Sequence, residues 1–181
     1  MEFFCYHRDR QGSMGLRRAM LERHWDYMDQ FAGRMVARGP TFADDGTLTG
    51  SVHIVDLPDV TAARAFAFDE PGYQAGVYRD VMLRRWRNIS GRTMWDFVSE
   101  HPGRGRYLVL GLGREGPPDA TEPPGPDVIA YGPLLSDDAR MTLGTAVLLE
   151  APDAAGAIHA LGPGRHAAVE VHRWRFGGRP S

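Results

Sequence analysis

An internal repeat constrains this chain more than any other feature of its sequence. Residues 36–63 and 129–157 share an ordered series of matches once a single insertion near Leu143 is allowed. The pairs are Ala37/Ala130, Gly39/Gly132, Pro40/Pro133, Asp44/Asp137, Asp45/Asp138, Thr49/Thr142, Gly50/Gly144, Pro58/Pro152, Asp59/Asp153 and Ala63/Ala157. Arg85-Trp86-Arg87 then recurs as Arg173-Trp174-Arg175. Chance supplies a Gly-Pro or an Asp-Asp, but not the whole ordered set, and the series reads as a duplication.

The repeat lets local structure be assigned on both copies together. Residues 2–8 form an apolar, aromatic strand. Leu16, Met20, Met28, Phe31 and Met35 recur at helical spacing and predict one amphipathic helix over residues 16–36. Gly39-Pro40 is expected to stop it and open a short strand, with turn chemistry at Asp44-Asp45-Gly46. Ser51 to Leu57 reads as a β-branched strand, Pro58 to Phe68 as a helix and Val77 to Arg87 as a last strand. The order βαββαβ is the split β-α-β, ferredoxin-like arrangement.

The second copy repeats the strands at 106–112, 128–135, 144–150 and 166–176 and the helix at 152–161. Where its first helix should stand, prolines crowd the segment from Arg114 to Asp127, and a helix interior does not hold them. The expected fold is α+β: tandem ferredoxin-like units, 1–88 and 106–181, joined by a linker over 89–105, forming an intramolecular dimeric α+β barrel. The second unit is expected to lack the long first helix.

Composition narrows the function. All basic residues are arginine or histidine, so Schiff-base, pyridoxal-lysine and Walker A chemistries are excluded. The formal charge of −2 provides no basic field for nucleic acid. Cys5, the one cysteine, lies in the apolar run Phe3-Phe4-Cys5-Tyr6 and reads as a buried strand thiol. No apolar run approaches the ~20 residues that span a bilayer, and no leader-like segment is visible, so the expected setting is cytoplasmic. Gly111 to Gly116 fits G-x-G-x-x-G, but Pro117-Pro118 deny the helix such a fingerprint needs, and a dinucleotide site is rejected.

His24, four residues from both Met20 and Met28, interrupts an otherwise apolar helical stripe. An imidazole there is either a satisfied core group or a tuned acid/base. His53 alternates with Val52 and Ile54 and is expected to face the barrel interior as a second candidate. His166, Glu170 and His172 share one face of the last strand by alternation, without a visible third ligand for an ion. The Asp44-Asp45 and Asp137-Asp138 pairs read as hairpin turns, with a hard-cation site as the other reading. Arg84, Arg85, Arg87 and Arg92, echoed by Arg173, Arg175 and Arg179, read as solvated strand ends, or as contacts for a small anion.

The stretch from Met20 to Arg87 resembles the YCII-related (YciI-like) family. The resemblance rests on His24, Ala37-Arg38-Gly39-Pro40, Asp44-Asp45-Gly46, Thr49-Gly50-Ser51, and Glu70-Pro71 followed by Ala75-Gly76-Val77-Tyr78. It implies a ferredoxin-like fold that pairs into an α+β barrel, with a histidine/carboxylate centre. His24 takes the place of the family histidine, and Glu70 stands where an aspartate is usual, with Asp69 as its one-residue alternative. The family includes a dehydrochlorinase acting on a chlorinated hydroxyquinol, which is proton chemistry without a cofactor. The function so implied is cofactor- and metal-independent proton transfer, of lyase or isomerase type, on a small cyclic or phenolic molecule. Its substrate contacts would come from Arg38, His53, Ser51 and Tyr78. A non-catalytic binding or accessory protein and a cofactor-free oxygenase are the alternatives. A cavity where His24 meets a carboxylate would favour the enzyme, and a filled, apolar barrel the accessory role. The chain is expected to act as a monomeric pseudo-dimer or as a homodimer, with a small molecule as its partner.

Overall fold

The computed structural model describes residues 1–116, 125–162 and 164–179. In chain order these are β1 (Glu2–Asp9), α1 (Met14–Ala19), α2 (Leu21–Asp29), β2 (Met35–Phe42), β3 (Leu48–Asp56), α3 (Val60–Phe68), α4 (Pro71–Gln74) and β4 (Tyr78–Trp86). Then follow β5 (Gly105–Gly116), β6 (Val128–Leu135), β7 (Thr142–Ala151), α5 (Ala154–His159) and β8 (Ala168–Trp174). The strands close into one antiparallel barrel in the order β1-β3-β2-β8-β5-β7-β6-β4. Each half therefore contributes a four-stranded ferredoxin-like sheet, β4-β1-β3-β2 and its counterpart β8-β5-β7-β6. The two sheets join edge to edge through two short seams. At one, Thr41 pairs with Trp174 and Phe42 with Arg173; at the other, Arg85 pairs with Leu135 and Trp86 with Leu134.

The repeated residues meet at these seams. A Cβ on Gly39 would lie 1.8 Å from the Arg175 carbonyl oxygen, and one on Gly132 would lie 1.8 Å from that of Arg87. Glycine is required there because another backbone occupies the space. The turns and caps repeat as well. Asp45 Oδ1 accepts from the Thr47 N–H and Asp138 Oδ1 from the Arg140 N–H. Asp59 caps α3 through the Ala62 N–H, and Asp153 caps α5 through the Gly156 N–H.

Alternation sorts the side chains into two layers. Phe4, Tyr6, Val52, Ile54, Trp86, Leu108, Leu110, Leu148 and Trp174 fill the barrel interior. Phe3, Cys5 and Val55 point outward beneath Met28, Ala63, Phe66 and Ala67 of the helices. Burying one such Phe or Val side chain stabilises by roughly 1.5–3 kcal/mol. Among the described residues no helix is long and apolar enough to cross a membrane.

Three expectations need correction. The single helix over 16–36 is two, α1 and α2, divided at Met20, and Met35 already opens β2. Gly39-Pro40 consequently lies inside a strand and stops no helix. His166 precedes β8 and covers Gly111 on the outer face, bonded to Thr145, so it does not share a face with Glu170 and His172. Gly111 to Gly116 belong to β5 and open no helix. The prolines at 117, 118, 123 and 124 lie outside the described residues.

Candidate functional site

The site lies on the outer face of the first sheet, beneath α1 and α2. Arg17, Leu21, His24 and Met28 form one stripe along these helices, facing Ser51 and His53 of β3 and Arg38 of β2. These residues line a cavity of about 230 Å³. The middle of the barrel is packed with apolar side chains, with Tyr6, Thr41, Glu170 and His172 towards one end, and this cavity sits outside it.

Glu70 is fully buried, and its carboxylate reaches two partners. Oε2 accepts from the Tyr73 N–H at 2.7 Å, and Oε1 lies 2.9 Å from His24 Nδ1. The first contact follows from the sequence: Pro71 opens α4, which makes residue 70 its N-cap and folds the side chain back over the helix. Burial pushes the Glu70 carboxyl up, but the hydrogen bond and charge of His24 and a backbone N–H outweigh it, and the group titrates below its ordinary range. Among the described residues His24 Nε2 has no hydrogen-bond partner. Asp69, the alternative carboxylate, is solvent-exposed at the end of α3, and the bond to His24 comes from its neighbour.

His53 corrects its expected placement. It points outward, away from the interior-facing Val52 and Ile54, into the helix layer, where its ring centre lies 5.6 Å from that of His24. Ser51 Oγ accepts from Arg17 at 2.6 Å, and Arg17 is also held by Asp9. Tyr78 stands behind Glu70; burial and then the Glu70 charge push its hydroxyl pKa upward. Arg38 pairs in register with His53 and approaches Asp29 at 3.6 Å.

The far wall comes from the second half. After β8 the chain runs on beside β2, with the Arg175 N–H donating to Pro40 O and the Gly177 N–H to Arg38 O. Phe176, Gly177 and Gly178 line the cavity. Arg179 then reaches Glu22 at 2.9 Å, Asp26 at 2.5 Å and Asp29 at 3.3 Å, three carboxylates on one face of α2, and lies over the Trp25 ring. Most of the strand-end arginine cluster is likewise engaged within the chain, Arg85 on Asp137 O and Arg175 over Phe42.

Sequence reasoning missed Arg17, His7 and this terminal strap. Arg17 stands seven residues before His24, on the same helical stripe, and spacing alone reaches it. His7 shares the outer face of β1 with Cys5 and is fully buried; its Nε2 lies 2.8 Å from Ala67 O, and burial pushes its pKa down to about 4. Nothing in the sequence near residues 176–179 signals their role. Among the described residues no group of three or more metal-ligating side chains converges.

Residues 1–87 match the family model of the YCII-related domain. No curated protein sequence matches the chain. Among solved structures, 5-chloro-2-hydroxyhydroquinone dehydrochlorinase (TftG) from Burkholderia phenoliruptrix AC1100, in complex with 2,5-dihydroxybenzoquinone, is 27% identical, with a TM-score of 0.45. That similarity covers 48% of this chain and 94% of the other. A proposed monooxygenase from Lactobacillus acidophilus NCFM is 10% identical over 96% of this chain and 93% of its own, with a TM-score of 0.49.

Proposed function

The first half of the chain, residues 1–87, belongs to the YCII-related domain family, and on that premise we propose that the protein is a cofactor-independent enzyme moving a proton on a small cyclic or phenolic molecule. The carrying observation is the 2.9 Å contact between His24 Nδ1 and the wholly buried Glu70 carboxylate at the edge of a cavity. A carboxylate there holds the proton on Nδ1 and aims the ring, leaving Nε2 as the base. When Nε2 takes a proton from carbon, the electron pair moves towards a ring oxygen. Returning the proton elsewhere gives isomerisation; losing a leaving group instead gives the lyase outcome. Glu70 stabilises the imidazolium formed in between, and the Arg17 and Arg38 cations stand near the developing negative charge.

The division into 1–88, 89–105 and 106–181 assigns the chemistry to the first unit and leaves the second as scaffold and wall. One site per chain is the result. The test is a panel of phenols, hydroxyquinols and cyclic ketones in D₂O, followed by proton NMR for exchange or conversion, with calorimetry for stoichiometry. At least one class should exchange or convert, about 10² or more slower with His24→Gln. Binding without any exchange would make the protein a binding or accessory module. Two equivalent sites per chain would remove the assignment to the first unit.

A further inference from the structure

His24 and His53 share one cavity but not one environment. His24 has a carboxylate on Nδ1. His53 is 2% exposed, packed edge-on against Phe66 at 5.9 Å and His7 at 6.0 Å. Among the described residues its buried Nδ1 has no partner, and its Nε2, also unbonded by them, is the ring nitrogen left to the cavity. Cys5, its register partner on β1, is a thiol kept neutral by burial, and the groups whose charge acts on His53 are His24, His7, Arg17 and Arg38, all imidazoles or cations. With burial as the larger cause, they hold His53 well below its ordinary pKa and keep the ring neutral.

A neutral imidazole carries one N–H. On Nδ1 that proton would be a buried donor with no acceptor; on Nε2 it faces the cavity. We propose that His53 is a neutral hydrogen-bond donor whose Nε2–H recognises a carbonyl, enol or phenol oxygen of the substrate, beside the carbon on which His24 moves the proton. This rests on the proton-transfer reading of the same site. Two titratable groups whose surroundings pull their protonation apart divide the labour between them. As His24 Nε2 takes the proton, the bonding pair shifts onto the substrate oxygen, and a fixed N–H aimed at that oxygen stabilises the charge. The proton's return reverses the shift, and no other reactant is needed.

Long-range proton–nitrogen NMR of the histidine-labelled protein reads the tautomer directly. His53 should be the Nε2–H form and stay neutral throughout the range in which an ordinary histidine titrates. Adding 4-nitrophenol should shift its Nε2 resonance. An Nδ1–H tautomer, or titration near about 6.5, would overturn the proposal. So would an unmoved resonance, or failure of 4-nitrophenol and of phenol itself to bind. His53→Phe should weaken 4-nitrophenol binding about tenfold, with partial recovery in His53→Gln, the amide keeping a donor. If His24→Gln slows nothing while these results hold, the proton-transfer reading fails and the oxygen site stands. If His24→Gln slows exchange while His53→Phe leaves binding and exchange unchanged, the oxygen site fails alone.

Discussion

The indole N–H of Trp86 donates to the carbonyl oxygen of Gly132 at 3.0 Å, across the seam between β4 and β6. Its counterpart Trp174 lies against Gly39 at the other seam, but there the buried indole nitrogen has no acceptor among the described residues. Trp86→Phe should therefore destabilise more than Trp174→Phe, by about 1–2 kcal/mol, since one loses a buried hydrogen bond and the other sheds an unmatched donor. Urea unfolding of the two variants checks this; equal losses would contradict the asymmetry.

Gly132→Ala places a methyl group where the Arg87 carbonyl oxygen now stands. Backbone cannot rotate aside as a side chain can, so the seam has to open. A loss of about 3 kcal/mol is expected from overpacking of this kind, with Gly39→Ala behaving alike. An unchanged denaturation midpoint for both would show that the barrel closes otherwise.

Glu70 has two duties that separate by substitution. Glu70→Gln keeps an oxygen for the Tyr73 N–H but removes the charge that holds the His24 proton. It should lose the modest stability that the charged contact with His24 supplies and cost about 10² in proton transfer. Glu70→Ala also loses the cap and should cost about 1 kcal/mol more in stability. Equal stability of the two, measured by thermal unfolding, would remove the capping role.

His7 makes the fold acid-sensitive. Its folded pKa of about 4 lies below the ordinary value near 6.5, so between them the unfolded chain binds a proton that the folded chain refuses. Stability from this group is complete above about pH 6.5 and falls by about 3 kcal/mol as the pH drops to about 4. Glu70, held low by His24, adds a loss at lower pH still. Denaturation midpoints between those values should show the slope, and His7→Phe should flatten it.

Arg179→Ala should loosen the strap without touching His24. Released from Glu22, Asp26 and Asp29, the segment uncovers Trp25 and the cavity mouth. Acrylamide should then quench more of the tryptophan fluorescence, and bound phenols should leave faster. A quenching curve identical to that of the parent protein would show that the strap stays seated without its charge.

The barrel was legible because the repeat marks the same strands twice and each strand core is a short, continuous apolar run. The end of the helical segment before Met35 was not, because Met35, Val36 and Ala37 continue an apolar run that suits a helix end or a strand start equally well. His53 was placed on the wrong face for a related reason. Alternation says that Val52 and Ile54 face together and His53 opposite, but both faces of this sheet are buried. Glu70 over Asp69 could have been decided by Pro71, since proline at the first helical position fixes which residue caps. The wall from Phe176 to Arg179 depends on barrel closure, which pairs residues more than a hundred positions apart, and no local pattern encodes it.

That wall also sets an order of events during synthesis. A nascent chain that has emerged only as far as Trp86 already holds His24, Glu70 and His53, but α2 presents its three carboxylates bare and the pocket stands open. Closure waits for residues 176–179 to follow, so a chain emerged only that far would carry His24 and Glu70 without the chamber around them. The chamber is therefore a joint product of both halves, complete only when the segment after β8 lies beside β2.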